Sequence, residues 1–172
     1  MAADRRYWDS CAFLGLLSKE SDKADKCEPV LSAAEDGQID IVTSALTLTE
    51  VIKTKGGPAI PRDQERKIRD FFEHQWIIVR EVDRFIAEEA RELIWAHGLK
   101  PYDAIHLATA LNLKLSTMDT FDEDLIRLSG KLGNPRLAIG HPHVLHTLDM
   151  FPDEKKEAAK KHGKKAKPRR KR

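Results

Sequence analysis

A chain of 172 residues, 41% of them hydrophobic, is long enough to bury the core of one soluble domain with tails. Its apolar runs are too short to span a bilayer, and the opening MAADRRYWDS lacks the apolar stretch of a secretory signal, so a cytoplasmic protein with no membrane partner is expected. Cys11 and Cys27 form neither a CxxC motif nor a disulfide framework and read as reduced, mostly buried thiols. The net charge of +2 hides a division: residues 153–172 carry eleven Lys or Arg against three Asp or Glu, a tail of +8 behind a body of −6. Such a like-charged run without apolar residues is expected to stay disordered. It would attract nucleic acid by counterion release, although a solubilising tail or a nuclear-import signal has the same composition.

In chain order, Arg5–Trp8 reads as a short strand running into Asp9. A helix follows over Ser10–Ser18, with Phe13, Leu14 and Leu17 on its apolar face. Ser21–Gly37 reads as a charged second helix, interrupted by Pro29 and ended by Gly37. Ile39–Thr43 is β-branched and reads as a buried strand. Leu46–Thr54 is expected to be helical until Lys55-Gly56-Gly57-Pro58 breaks it. An amphipathic helix over Arg62–Glu73 leads to a strand at Trp76–Val79. Asp83–His97 has Phe85, Ile86, Ala90, Leu93 and Ile94 at helical spacing, with Gly98 as its C-terminal stop. Pro101–Leu113 is a further helix with Ile105, Ala108 and Leu111 inward, Lys114–Thr117 a short strand, Phe121–Leu128 a helix and Arg136–Ile139 an edge strand. Strands alternating with helices predict an α/β domain over residues 1–150, a parallel four- or five-stranded sheet with helices on both faces, followed by the basic tail at 151–172.

Four acids stand in four short settings: Asp9 in YWDSCAFL, Glu50 in SALTLTEVIK, Asp103 in PYDAIHLATAL and Asp119 in LSTMDTFDEDL. Each lies at or near a predicted helix start, where an acid complements the helix dipole without any chemistry. Thr47-x-x-Glu50 and Thr120-x-x-Glu123 are possible capping boxes, Asp9 or Ser10 a possible N-cap, and Asp103 suits a first turn opened by Pro101. Yet Asp9 and Asp103 adjoin core-facing apolar residues, where an unpaired carboxylate is costly, and the motifs around these two contain no Arg or Lys to pair with them. Loops beyond the strand C-termini of an open α/β sheet meet at one crevice. A shared cation there would relieve all the carboxylates, and hard oxygen ligands suit Mg²⁺ or Mn²⁺.

The same stretches resemble a PIN domain, in particular the VapC-type toxin ribonucleases of toxin–antitoxin pairs. They are Asp9-Ser10 before an apolar helix, Ser44–Val51, Tyr102–Ala110 (the most specific) and Leu115–Asp122. The resemblance spans roughly residues 5–140 and implies a PIN-like three-layer fold with a parallel sheet between helices. It matches Asp9, Glu50 and Asp103 to three principal acids and Asp119 to a fourth. Asp122 falls where some relatives place a further acid, so the choice of Asp119 or Asp122 as fourth ligand stays open. Ser10 and Thr117 match hydroxyls that hold a metal's water or orient a carboxylate, and His106 matches a position that packs beneath the site. The implied activity is Mg²⁺- or Mn²⁺-dependent hydrolysis of RNA phosphodiester bonds. The implied partners are RNA, a cognate antitoxin reaching towards the acidic crevice and a second copy of the chain, with the apolar residues of Ala12–Leu17 and Val51 as a docking surface. Two other readings remain: a catalytically inactive PIN-like RNA-binding or scaffold module, and a Zn²⁺ enzyme built on His141-Pro142-His143-x-x-His146. Pro142 and the lack of an i, i+4 His pair make the second unfavourable.

Overall fold

The computed structural model describes residues 3–18, 21–52 and 59–144. The tail expected from residue 151, together with His146, lies outside the described residues. Five strands, β1 (Asp4–Trp8), β2 (Ile39–Ser44), β3 (Ile77–Arg80), β4 (Thr117–Asp119) and β5 (Ala138–Gly140), form one parallel sheet in the order β3-β2-β1-β4-β5. The helices are α1 (Ser10–Leu17), α2 (Ser21–Glu35), α3 (Thr47–Glu50), α4 (Glu65–Phe72, preceded by a 3-10 turn at Arg62–Gln64), α5 (Arg84–His97), α6 (Pro101–Asn112) and α7 (Glu123–Ile126). The chain runs outward from β1 to β3, then returns to place β4 and β5 on the other side of β1. This reversal puts the topological switch point, and so the crevice of an open α/β sheet, at the carboxyl ends of β1 and β4.

Period-two alternation divides the core into the two outer layers. Tyr7, Val42 and Met118 face α5 and α6, whereas Trp8, Ile41 and Ile77 face α1, α2 and α4. Trp8 meets the edge of Phe13 at 5.3 Å between centroids. Burying each of these large apolar side chains contributes about 1.5–3 kcal/mol. The ends of α5 are as expected. Asp83 accepts a hydrogen bond from the Ile86 N–H at 2.9 Å, and Gly98 closes the helix at φ 67°, where a side chain would be strained.

Most boundaries shift by one or two residues, and three of the differences bear on the site. The helix expected over Leu46–Thr54 stops at Glu50, because Val51 turns out of helical geometry and buries its side chain completely. The β-branched Thr47, Thr49, Val51 and Ile52 give a longer helix little support. The strand expected at Lys114–Thr117 begins only at Thr117. Lys114 takes a left-handed turn at φ 52°, and the N–H groups of Lys114 and Leu115 are still occupied by carbonyls of α6. The helix expected from Phe121 starts at Glu123, capped by Asp122.

The proposed docking surface is also revised. Val51, Ala12, Phe13 and Gly15 are core, Leu14, Leu16 and Leu17 are half-buried, and the large apolar side chains exposed to solvent nearby are Leu48 and Ile52. These two border an apolar groove of about 570 Å³ closed by Ile60, Ile68 and Phe72. None of the predicted acids lines this groove.

Candidate metal centre

Asp9 leaves the end of β1 and serves two purposes. Its Oδ1 caps α1 by accepting the Ala12 N–H at 3.1 Å, and its Oδ2 accepts a short hydrogen bond from the Thr120 hydroxyl. Thr120, the residue after β4, also accepts the Asp122 N–H at 2.9 Å. Asp122 caps α7 with Oδ1 alone, accepting from the Asp124 and Leu125 N–H groups. Asp103 enters from the first turn of α6. Its Oδ2 is buried without a hydrogen-bond partner. The nearest cation, Lys100 Nζ, is 3.9 Å away, too far for a hydrogen bond. Burial raises the pKa of Asp9 above the ordinary carboxylate value, and Asp122 adds to the rise against the pull of His106 and Thr120. Burial likewise raises Asp103, again with help from Asp122. Asp122 thus raises both Asp9 and Asp103 by repulsion across the carboxyl edge of the sheet.

Glu50 stands behind this cluster in a hydrogen-bonded chain. His106 Nε2 lies 2.8 Å from Glu50 Oε2, Ser10 Oγ donates to the same oxygen, and Tyr7 Oη lies 2.8 Å from His106 Nδ1. A carboxylate only accepts, so Nε2 carries its proton towards Glu50. Burial pushes Glu50 up, but the hydrogen bonds from His106 and Ser10 outweigh it and leave the carboxyl below its usual range. His106, read from the sequence as packing beneath the site, is thus the buried link between Tyr7 and Glu50.

Asp119 is placed elsewhere. It is the last residue of β4, pairs in register with Trp8 and points to the α1–α2 side. Arg6 Nη2 donates to its Oδ1 at 2.7 Å and Trp8 Nε1 to its Oδ2 at 2.9 Å. Burial pushes its carboxyl up to about 6, against the lowering effects of Arg6 and Trp8. The expected role of Asp119 as a ligand finds no support in this arrangement: strand alternation turns it away from Asp9, and both its oxygens are engaged. Thr117, expected as a supporting hydroxyl, sits at the start of β4 opposite Arg6, away from the carboxyl edge. The sequence contains two overlapping Thr-x-Asp patterns, 117–119 and 120–122. The structure brings the second to Asp9. Thr120 stands in the sequence only as a possible helix cap, Tyr7 carries no separate signal, and Arg6 lies just outside the motif around Asp9.

A family model for the PIN domain matches residues 6–131. The chain belongs to the PIN-domain family. Among solved structures, a toxin–antitoxin complex from Klebsiella pneumoniae is similar to this PIN domain with a TM-score of 0.57 and 22% identity, covering 81% of this chain and 99% of that one. VapC20 of Mycobacterium tuberculosis, a toxin that cleaves the sarcin–ricin loop, is similar with a TM-score of 0.56 and 15% identity, covering 69% of this chain and 91% of that one. At these identities the likeness is one of fold. No curated protein matches the sequence.

The family's use of divalent cations fits the residues of this PIN domain on one observation: Asp103 Oδ2 is a buried oxygen that accepts no hydrogen bond, and it feels the repulsion of Asp9 and Asp122. The donor set is all hard oxygen. Among the described residues, no three acidic, His or Cys side chains are already gathered as a finished ligand shell, so an ion would have to draw the carboxylates together. His141 and His143 do not form a competing set. His141 Nδ1 accepts from Lys26, and His143 Nδ1 lies 2.9 Å from the His141 carbonyl.

A pH dependence follows from the raised Asp103. An unfolded aspartate loses its proton near pH 3.9, whereas folded Asp103 keeps it to higher pH. In that window the native state binds more protons than the unfolded one, so this group lowers stability as pH rises. In EDTA, the Asp103→Asn protein should therefore gain stability relative to the parent as pH climbs from about 4. Melting temperatures of the two proteins across pH test this. A constant difference between them would show that Asp103 titrates normally.

Proposed function

We propose that this PIN domain is a Mg²⁺- or Mn²⁺-dependent endoribonuclease and the toxin of a toxin–antitoxin pair. The supporting observation is that Asp9, Asp103 and Asp122 stand at the carboxyl edge around the β1–β4 switch point, with a buried Asp103 oxygen that accepts no hydrogen bond. Asp9, Asp103 and Asp122 would hold the ion, with Glu50 as the fourth acid. When bound, such an ion lowers the pKa of a water and stabilises charge on the phosphate. The chain's own residues supply position. Thr120 fixes the Asp9 carboxylate, the cap on α7 fixes Asp122, and His106 with Ser10 keeps Glu50 ionised and oriented. The likeness to a toxin–antitoxin complex supports a neutralising partner protein as part of this reading.

The test is incubation of the purified protein with a mixed RNA pool and Mg²⁺ or Mn²⁺, beside an EDTA control. Cleavage that needs the metal is expected. A folded protein that neither binds Mn²⁺ nor cleaves RNA would leave a non-catalytic PIN module instead.

The basic tail has a separate expected effect. Eleven Lys or Arg follow Pro152, and the logarithm of affinity falls with that of salt by roughly 0.7 per phosphate neutralised on a single strand. Ending the chain at Pro152 should flatten the salt dependence of RNA binding measured by fluorescence anisotropy. An unchanged slope would show that the tail makes no phosphate contacts.

A further inference from the structure

At the carboxyl ends of β4 and β5, on the α1–α2 side of the sheet, four side chains from three separate segments form a second cluster. Phe121 and His141 lie ring to ring, with centroids 5.2 Å apart and planes inclined by 31°. Lys26 Nζ donates to His141 Nδ1 at 3.1 Å and lies 5.9 Å from the Phe121 centroid, with Lys23 Nζ at 5.7 Å. Lys26 and His141 are exposed, and Phe121 is partly so. Both lysines come from α2, which packs so closely on α1 that a Cβ on Gly15 would stand 2.7 Å from Lys23 Cβ. Arg6 anchors the other side by donating to the His143 carbonyl.

The position of this cluster relates it to the site. Phe121 lies in the chain between Thr120, which holds Asp9, and Asp122. His141 follows β5, the strand beside β4. An aromatic pair flanked by ammonium groups, set in a body of net charge −6, suits a ligand with a flat π-face and a phosphate. Single-stranded nucleic acids are bound by this combination of stacking platforms and cations. We propose that Phe121 and His141, with Lys26 and Lys23, form a nucleotide subsite that stacks one base of single-stranded RNA and contacts its phosphate next to the scissile bond. The proposal rests on the nuclease reading above. It adds the residues that seat the substrate and the side of the crevice along which the strand runs.

The rival reading is structural: the lysines over Phe121 tie α2 to the end of β5 by cation–π contact. Steady-state cleavage of a fluorescein-labelled single-stranded oligoribonucleotide, with anisotropy binding in EDTA and thermal melts, separates the two for the full chain. Phe121→Ala should raise KM and weaken binding about tenfold, as expected for losing one stacked base, with kcat nearly unchanged. Phe121→Tyr should restore both. Lys26→Ala should lower the salt slope by roughly one phosphate contact. If the parent protein cleaves RNA while Phe121→Ala and Lys26→Ala change only the melting temperature, the subsite is overturned and the nuclease reading stands. If the parent protein neither binds nor cleaves RNA, both readings fall.

Discussion

Replacing Asp9 or Asp103 with asparagine is expected to lower metal-dependent RNA cleavage by roughly 10³-fold, or about 4 kcal/mol of lost transition-state stabilisation. The fold should survive. The amide keeps the shape of the carboxyl, and Asn is as good a helix cap as Asp where Asp9 caps α1. Both native carboxyls are already raised by burial, and each carries the repulsion of a neighbouring acid. Removing one charge should therefore leave stability without metal equal or higher. Single-turnover cleavage, Mn²⁺ affinity and melting temperature measured on the same preparations decide the matter. Full activity in either variant would sink the assignment. A collapse of the melting temperature would instead show that the carboxyl supports the fold.

The largest stability effect should fall on Arg6. Its ion pair with Asp119 is 7% and 1% exposed on the two sides and 2.7 Å long. Removing one partner leaves an uncompensated buried charge, which costs about 3–5 kcal/mol. Arg6→Ala should lower the urea midpoint by a corresponding amount. It should also release the loop after β5, because the same guanidinium donates to the His143 carbonyl. Arg6 Nε is itself buried without a partner, so the pair is not fully satisfied. The double replacement Arg6→Met with Asp119→Leu should recover only part of the loss, since a packed apolar pair can match a buried ion pair but leaves the buried Trp8 indole N–H without its acceptor. Asp119→Asn gives the decisive contrast for the site. If Asp119 is structural, the folded Asp119→Asn protein cleaves at nearly the parent rate. If its rate falls as far as that of Asp9→Asn, the fourth acid is Asp119 and the placement of Asp122 is wrong.

Much of the fold is legible in local chemistry. The β-branched run Ile39–Thr43, the helical stripe from Ile86 to Leu93 ended by Gly98, and Pro101 opening the next helix each state their element within a few residues. Alternation of such elements is enough to require a parallel sheet covered on both faces. Asp9 and Asp103 could be singled out because a carboxylate among apolar neighbours demands a partner, and Glu50 through the resemblance of its motif to a PIN domain.

The fourth acid could not be chosen that way. Thr117-x-Asp119 and Thr120-x-Asp122 are equivalent as text. Only the point where α6 unwinds through Lys114 decides that the strand ends at Asp119. That boundary sets the alternation, and the alternation sends Asp119 to Arg6 and Trp8 while Thr120 and Asp122 reach Asp9. The link from Tyr7 through His106 to Glu50 spans three separate segments, and so does the cluster of Lys26, Phe121 and His141. The sequence by itself determined which elements form and which residue types must find a partner, because propensity, periodicity and the cost of a buried charge act over a few residues. Only the tertiary structure decided which partner each one found, because strand register and the crossing from β3 back to β4 bring together side chains that no local spacing relates.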